Sequence, residues 1–232
     1  MSERFFLEAV PRDGRAVLTG DEARHLARVL RAEVGDEVVV FAGTGMQWPA
    51  RVVRIGRDEV ELETGQGRTD PPAARPALTL AVALPKGERQ KWLVEKLTEL
   101  GVARLLPLRT ERGVAEATPA AVERLRRGVI EACKQCGRNT LMEIAAPAAV
   151  AEVLAGLPAG RRGVVADPAG LAFDAAGLRA GADAVLALVG PEGGFTAAEL
   201  AAAEHAGAGL VNLGPHILRV ETAAVALAAR LV

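Results

Sequence analysis

Cysteine is scarce. Two residues in 232 are too few for a disulfide framework, which fits a reducing compartment. Long apolar runs are missing too: no charge-free stretch approaches the roughly 18 apolar residues of a spanning helix. The first residues, MSERFFLEAVPRDG, carry charges throughout and hold no apolar signal core. The expected location is the cytoplasm, with no membrane partner. GxxxxGK followed by Ser or Thr is absent, as is a GxGxxG opening a βαβ unit, so the usual nucleotide-phosphate loops are excluded. With two cysteines and three distant histidines there is no spacing for a zinc tetrad, and no metal is expected.

Half of the chain is apolar and a quarter is charged. That balance excludes a disordered chain and suits one large or two small domains. The net charge of −1 hides an asymmetry, because basic side chains outnumber acidic ones only in the middle third. Arginine far exceeds lysine, and its planar fork grips phosphate and stacks on bases.

The stretch GQGRTDPPAARPA (65–77) reads as a linker. Before it lie strand-like runs at 37–41, 50–55 and 59–63, with one helix over 21–31: a small β-rich domain. After it, strands at 78–84, 102–108, 163–167, 184–190 and 210–214 alternate with helices. That alternation predicts an α/β domain with a mainly parallel sheet. The helix at 88–100 is expected to bury Trp92, Leu93, Leu97 and Leu100. The long helix from Pro119 is expected to bury Val122, Leu125, Val129, Cys133 and Cys136 as one stripe, which argues against a redox or zinc role for the Cys-x-x-Cys pair. The last helix should bury Val220, Ala224, Leu227, Ala228 and Leu231.

Ligands of parallel sheets sit at the carboxyl ends of strands. Two such ends are unusual here. Gly190-Pro191-Glu192-Gly193-Gly194 follows one strand, with Thr196 and Glu199 spaced as a capping box for the next helix. Leu213-Gly214-Pro215-His216-Ile217-Leu218-Arg219 follows another.

Taken together and in order, LVGPEGGFTAAEL and NLGPHILRVETAAVALAAR resemble the SPOUT class of methyltransferases. More narrowly the chain resembles the bacterial 16S rRNA uracil-N3 methyltransferases, the ribosomal RNA small subunit methyltransferase E family. HLARVLR, KGERQKWLVEKLTELGV and EACKQCGRN fit the same pattern, so the resemblance covers nearly the whole chain. It implies a PUA-like RNA-binding domain over 1–70 and a methyltransferase domain over 71–232, with a deep trefoil knot over about 163–232. It also implies a homodimer, S-adenosylmethionine as cofactor, and 16S rRNA as partner, within the small ribosomal subunit.

Carried onto this sequence, the resemblance implies cofactor contacts from Asp167, Val189, Gly190, Glu192, Gly193, Gly194, Leu213, Gly214, Ile217 and Leu218. It departs from the family pattern at His216, where arginine is expected, and at Val220, where threonine is expected. Removing the proton from uracil N3 calls for positive charge near O2 and O4. Arg219 is the candidate, with Glu221 to hold it or to accept the proton. N3 lies on the Watson–Crick edge, so the base must be presented unpaired by an RNA-gripping surface. Arg24, Arg28 and Arg31 at i, i+4, i+7, with His25, offer one helical face. Arg127, Lys134 and Arg138, followed by Asn139, offer another, and the resemblance adds Arg4. The competing expectations are a knotted ribose 2′-O-methyltransferase, a non-catalytic RNA-binding protein of the same fold, and a generic nucleotide-binding α/β protein.

Overall fold

The computed structural model describes residues 3–70, 77–114, 117–157 and 161–232. The chain forms two compact units. One comprises residues 1–72 and 130–141, the other 73–129 and 142–232.

The first unit is a sheet of short strands. They are β1 (Arg4–Phe6), β2 (Arg15–Thr19), β3 (Glu37–Phe41), β4 (Met46–Ile55), β5 (Glu59–Thr64) and β6 (Arg68–Thr69), in the order β1-β3-β4-β5-β2 with β6 against β4. Alternation aims Val38, Val40, Val52, Val60 and Leu62 into one core with Phe5, Leu18 and Leu26. The expected linker is therefore partly folded. Residues 65–69 return along β4, and Gly67 lies so close to Trp48 that a Cβ would stand 2.5 Å from the indole nitrogen. Residues 71–76 lie outside the described residues.

The expected helix over 21–31 also differs. It is α-helical only over α1 (Gly20–Arg24) and continues as a π-helix over His25–Val29; Arg31 has φ 56° and lies beyond it. The 3.6-residue spacing that aligned Arg24, Arg28 and Arg31 does not hold through a π-turn. All three are exposed, as is His25.

The second unit is a parallel sheet. Its strands are β7 (Ala77–Val82), β8 (Arg104–Arg109), β9 (Glu143–Ile144), β10 (Ala148–Ala149), β11 (Arg161–Ala172), β12 (Ala184–Val189) and β13 (Gly209–Asn212). The order is β10-β8-β7-β12-β11-β13, with β9 also on β8. Its central strands are apolar on both sides because helices cover both faces. Leu186 and Leu188 pack with Val153 and Leu154 of α4 (Val150–Ala155) and Ala203 of α6 (Ala197–His205). The alternate residues Val185, Ala187 and Val189 are buried on the opposite face. There α7 (Val220–Leu231) packs on β12, on β7 and on α2 (Glu88–Glu99). The stripe expected on α7 is buried throughout.

Three expected core residues are not fully buried: Leu100, just past the end of α2, is half-buried, and two others are exposed. Trp92 is 42% exposed on α2, where Val94 and Thr98 are buried beside Leu93 and Leu97. Cys136 is exposed: α3 (Pro119–Cys136) ends there, and Gly137 turns the chain with φ 82°. Arg138 thus follows the helix rather than sharing its face with Arg127 and Lys134. Cys133 is buried, and burial pushes its thiol up to about 11. A short α5 (Ala175–Arg179), N-capped by Asp174, precedes β12.

Candidate functional site

The carboxyl ends of β11, β12 and β13 meet around a cleft of about 250 Å³. Each end contributes a loop shaped by a particular local constraint.

The first loop interrupts β11. Its pairing to β13 runs through Ala166, breaks, and resumes at Leu171. Within the excursion Asp167 accepts from the amide of Ala169 at 2.8 Å, a turn typical of aspartate. Gly170 lies flat against β13, and a Cβ there would stand 2.4 Å from the Val211 nitrogen. Asn212 ties this loop to the third: its Nδ2 donates to the Pro168 carbonyl at 2.7 Å, and its Oδ1 accepts from the Gly214 amide at 2.8 Å.

The second loop leaves β12 at Gly190. A side chain there would meet the buried ring of Phe195 at 3.0 Å, so the glycine lets that ring close under the loop. Gly194 adopts φ 70° and the chain enters α6 through a capping box of Thr196 and Glu199. The loop is braced from the turn that follows β8. Arg112 donates to the Gly193 carbonyl at 2.8 Å, and Glu199 accepts from the Glu111 amide at 3.1 Å.

The third loop runs from β13 to α7. Leu213 and Leu218 are half-buried, whereas Ile217 is 88% exposed at the rim.

Of the expected cofactor residues, Asp167, Val189, Gly190, Glu192, Gly194, Leu213, Gly214, Ile217 and Leu218 line the cleft. Gly193 does not; its carbonyl faces Arg112 instead. The departures His216 and Val220 line it as well. The lining pairs apolar walls with two carboxylates, Asp167 and Glu192. It suits a ligand with a flat apolar part joined to a charged, hydrogen-bonding part.

Arg219 is exposed and forms the N-cap of α7 without a side-chain capping bond. Glu221, two residues on, is buried. Its ion-pair partner is Arg89 in the first turn of α2, at 3.7 Å, not Arg219. Arg89 also lies 3.4 Å from Glu192 on the cleft wall. The sequence pointed to neither Arg89, Arg112 nor Asn212. Each acts on a partner far away along the chain, and spacing carries no signal of that.

The expected RNA-gripping residues separate into two groups. Arg24, His25, Arg28 and Arg31 are exposed in the first unit, and Arg127 is exposed in the second. Arg24 ion-pairs with Asp21. Arg4, Lys134 and Asn139 are engaged within the first unit. Arg4 donates to Gln47 and to Asn139, both at 2.6 Å, and lies over the Phe41 ring. Asn139 is 1% exposed and donates to Asp70 at 2.6 Å. In this structure the Asn139 amide is buried and committed to Arg4 and Asp70. Burial pulls the Arg4 guanidinium below its ordinary value although Asp70 opposes this. Lys134 bridges Glu22 and Glu131, which hold its ammonium above the ordinary value against burial. Burial also lowers Arg138, with the two thiols and Asp70 opposing.

Residues 72–232 match the family described as RNA methyltransferase domain, and residues 18–64 match the RNA methyltransferase PUA domain. A ribosomal RNA small subunit methyltransferase E from Mycobacterium bovis is 35% identical over 237 residues, covering 97% of this chain and 89% of that protein. One from Synechocystis sp. is 34% identical, covering 93% and 72%. The crystal structure of a ribosomal RNA small subunit methyltransferase E from Neisseria gonorrhoeae, bound to S-adenosyl methionine, has a TM-score of 0.90 at 30% identity, covering 99% of this chain and 96% of that one.

Proposed function

The chain belongs to the ribosomal RNA small subunit methyltransferase E family, and from that premise we propose that it methylates N3 of one uridine in 16S rRNA. It is an S-adenosylmethionine-dependent rRNA methyltransferase with a PUA domain followed by a SPOUT-class catalytic domain. The target atom, the assembled small subunit as substrate, a homodimeric state, a knot over about 163–232 and a cytoplasmic location are part of the proposal. Among the described residues no helix is long and apolar enough to cross a membrane.

The observation that carries the reading is the convergence of three strand-end loops on one cleft, with a buried carboxylate, Glu221, directly after the cleft residue Val220. When bound, S-adenosylmethionine supplies an electrophilic methyl on a sulfonium, and the protein's task lies with the acceptor. Leu213, Ile217 and Leu218 would wall its adenine. Asp167 and Glu192 would face its polar parts. Uracil N3 is a poor nucleophile until it loses its proton. Glu221 has a buried Oε2 without a hydrogen-bond donor, and that oxygen is the proposed proton acceptor. Arg219, exposed at the cleft's edge, offers positive charge to the incoming RNA. In the first unit, Arg28 and Arg31 provide a further basic surface for the rRNA backbone.

Calorimetric titration tests the cofactor assignment. S-adenosylmethionine and S-adenosylhomocysteine should bind with one site per chain and ATP should not. Binding of ATP alone would overturn it. Sedimentation at micromolar concentration tests the dimer.

A further inference from the structure

The guanidinium of Arg89 is held in an unusual way. Its Nη1 lies between two carboxylates, 3.4 Å from Glu192 and 3.7 Å from Glu221. Both distances keep the charges together, yet neither meets hydrogen-bond criteria, and Arg89 makes no hydrogen bond among the described residues. Other arginines nearby are spent: Arg112 on two carbonyls, Arg124 on Gln90. Arg89 keeps its charge fixed and its donors unused.

Its position is fixed by the neighbouring residue. Gln90 is buried, donates to the Pro85 carbonyl at 2.7 Å and accepts from Arg124 at 3.2 Å, which bolts down the first turn of α2. Gly87, with φ 65°, makes the sharp entry into that turn. On the other side, Glu221 is buried with an unpartnered Oε2. A buried carboxylate oxygen without a donor is costly, and beside it the half-exposed Arg89 guanidinium abuts the cleft through Glu192, while Glu221 follows the cleft residue Val220; together they leave two hydrogen-bonding positions open. One planar ligand group carrying an N–H next to a carbonyl oxygen would fill both.

We infer that Arg89 is the residue that receives the target base, donating to a uracil carbonyl oxygen next to N3 while Glu221 takes the N3 proton. This rests on the proposed uracil-N3 chemistry. The charges balance within the site. Before the step Glu221 is anionic and the base neutral. After it Glu221 is neutral, and the electron pair of the broken N–H bond is shared between N3 and the carbonyl oxygens. Negative charge thus moves from one side of Arg89 to the other, and Arg89 changes partner without moving far. Such a preorganised donor stabilises charge where it develops. Glu192 keeps Arg89 in place throughout. The cleft beside them also carries Asp167 from the first loop and His216 from the third, and Arg219 stands exposed between Leu218 and Val220.

The test uses the full-length enzyme on small ribosomal subunits lacking the modification. Wild type must first yield 3-methyluridine; its failure to do so would strike the uracil-N3 reading itself. Given that product, Arg89→Ala should lower kcat about 100-fold, the size seen when one oxyanion donor is lost. The KM for subunits and the calorimetric Kd for S-adenosylmethionine should change less than threefold. The kcat of Arg89→Ala should keep rising with pH beyond the point where wild type levels off, because solvent must then do more of the deprotonation. Arg89→Lys should recover part of the rate. A raised KM with a shallower salt dependence and unchanged kcat would mean that Arg89 meets a backbone phosphate instead, and would overturn the inference. So would a tenfold weaker cofactor Kd or a lowered Tm with a normal pH profile, which would mark Arg89 as a structural tie.

Discussion

Arg112 reaches across 81 residues of sequence to donate to the carbonyl oxygen of Gly193 at 2.8 Å. A second bond, at 3.4 Å, goes to Phe195. The glycine loop is thereby held from behind while its front faces the cleft. Arg112→Ala should weaken S-adenosylmethionine binding about three- to tenfold, since an exposed charge-assisted bond contributes on the order of 1 kcal/mol. Arg112→Lys should recover part of the affinity, because both bonds leave the single nitrogen Nη1 and an ammonium also carries more than one donor. Calorimetry measures both, and unchanged affinity would show that the loop holds its shape alone.

Gly170 is the tightest point of the first loop. Its Cα faces the β13 backbone with no room for a methyl. Backbone cannot swing aside as a side chain can. Gly170→Ala should therefore destabilise the protein by about 3 kcal/mol or more. Thermal unfolding measures this, and Gly181→Ala serves as control, where space is open but φ is 64° and only modest strain is expected.

These cases show what the sequence carried. The parallel sheet was readable because its strands are near-continuous apolar runs, from Leu78 to Val82, broken only by Thr79, and from Val185 to Val189. The two glycine-bearing loops were readable because Gly190–Gly194 and Leu213–Leu218 directly follow such runs. The capping box of Thr196 and Glu199 was readable because it is local. What escaped was mostly set by partners distant in sequence. Arg89 meets Glu221, Arg112 meets Gly193 and Asn212 meets Pro168 only after folding. The π-turn after Arg24 escaped because its residues keep an ordinary amphipathic pattern. Trp92 escaped because a large apolar residue at helical spacing reads as core, whereas α2 turns Val94 and Thr98 inward instead.

Within the first unit the basic residues should divide by stability. Asn139→Ala leaves Arg4 and Asp70 each short of a partner in a buried setting, and should cost about 2 kcal/mol in chemical unfolding. Arg28→Ala and Arg31→Ala should leave the Tm within about a degree, as exposed substitutions do. If these two arginines touch rRNA phosphates, each loss should also flatten the dependence of log affinity on log salt by about 0.7 to 0.9. Filter binding at several salt concentrations reads that slope.

The thiols should differ sharply. Cys136 is exposed, and Cys133 is buried with its thiol raised to about 11. The thiolate is the reactive form, so Cys133 stays protonated and shielded at neutral pH. A colorimetric thiol assay should count one fast-reacting thiol in the native protein and two in denaturant. Two fast thiols under native conditions would mean that the end of α3 opens readily.

The position of the transferred methyl tests the central claim most directly. The enzyme is incubated with labelled S-adenosylmethionine and unmodified small ribosomal subunits, the RNA is digested to nucleosides, and the labelled nucleoside is identified. Label in 3-methyluridine is the predicted result. Label in a 2′-O-methylated nucleoside would retain the fold and the cofactor but contradict the base chemistry assigned to Glu221 and Arg89.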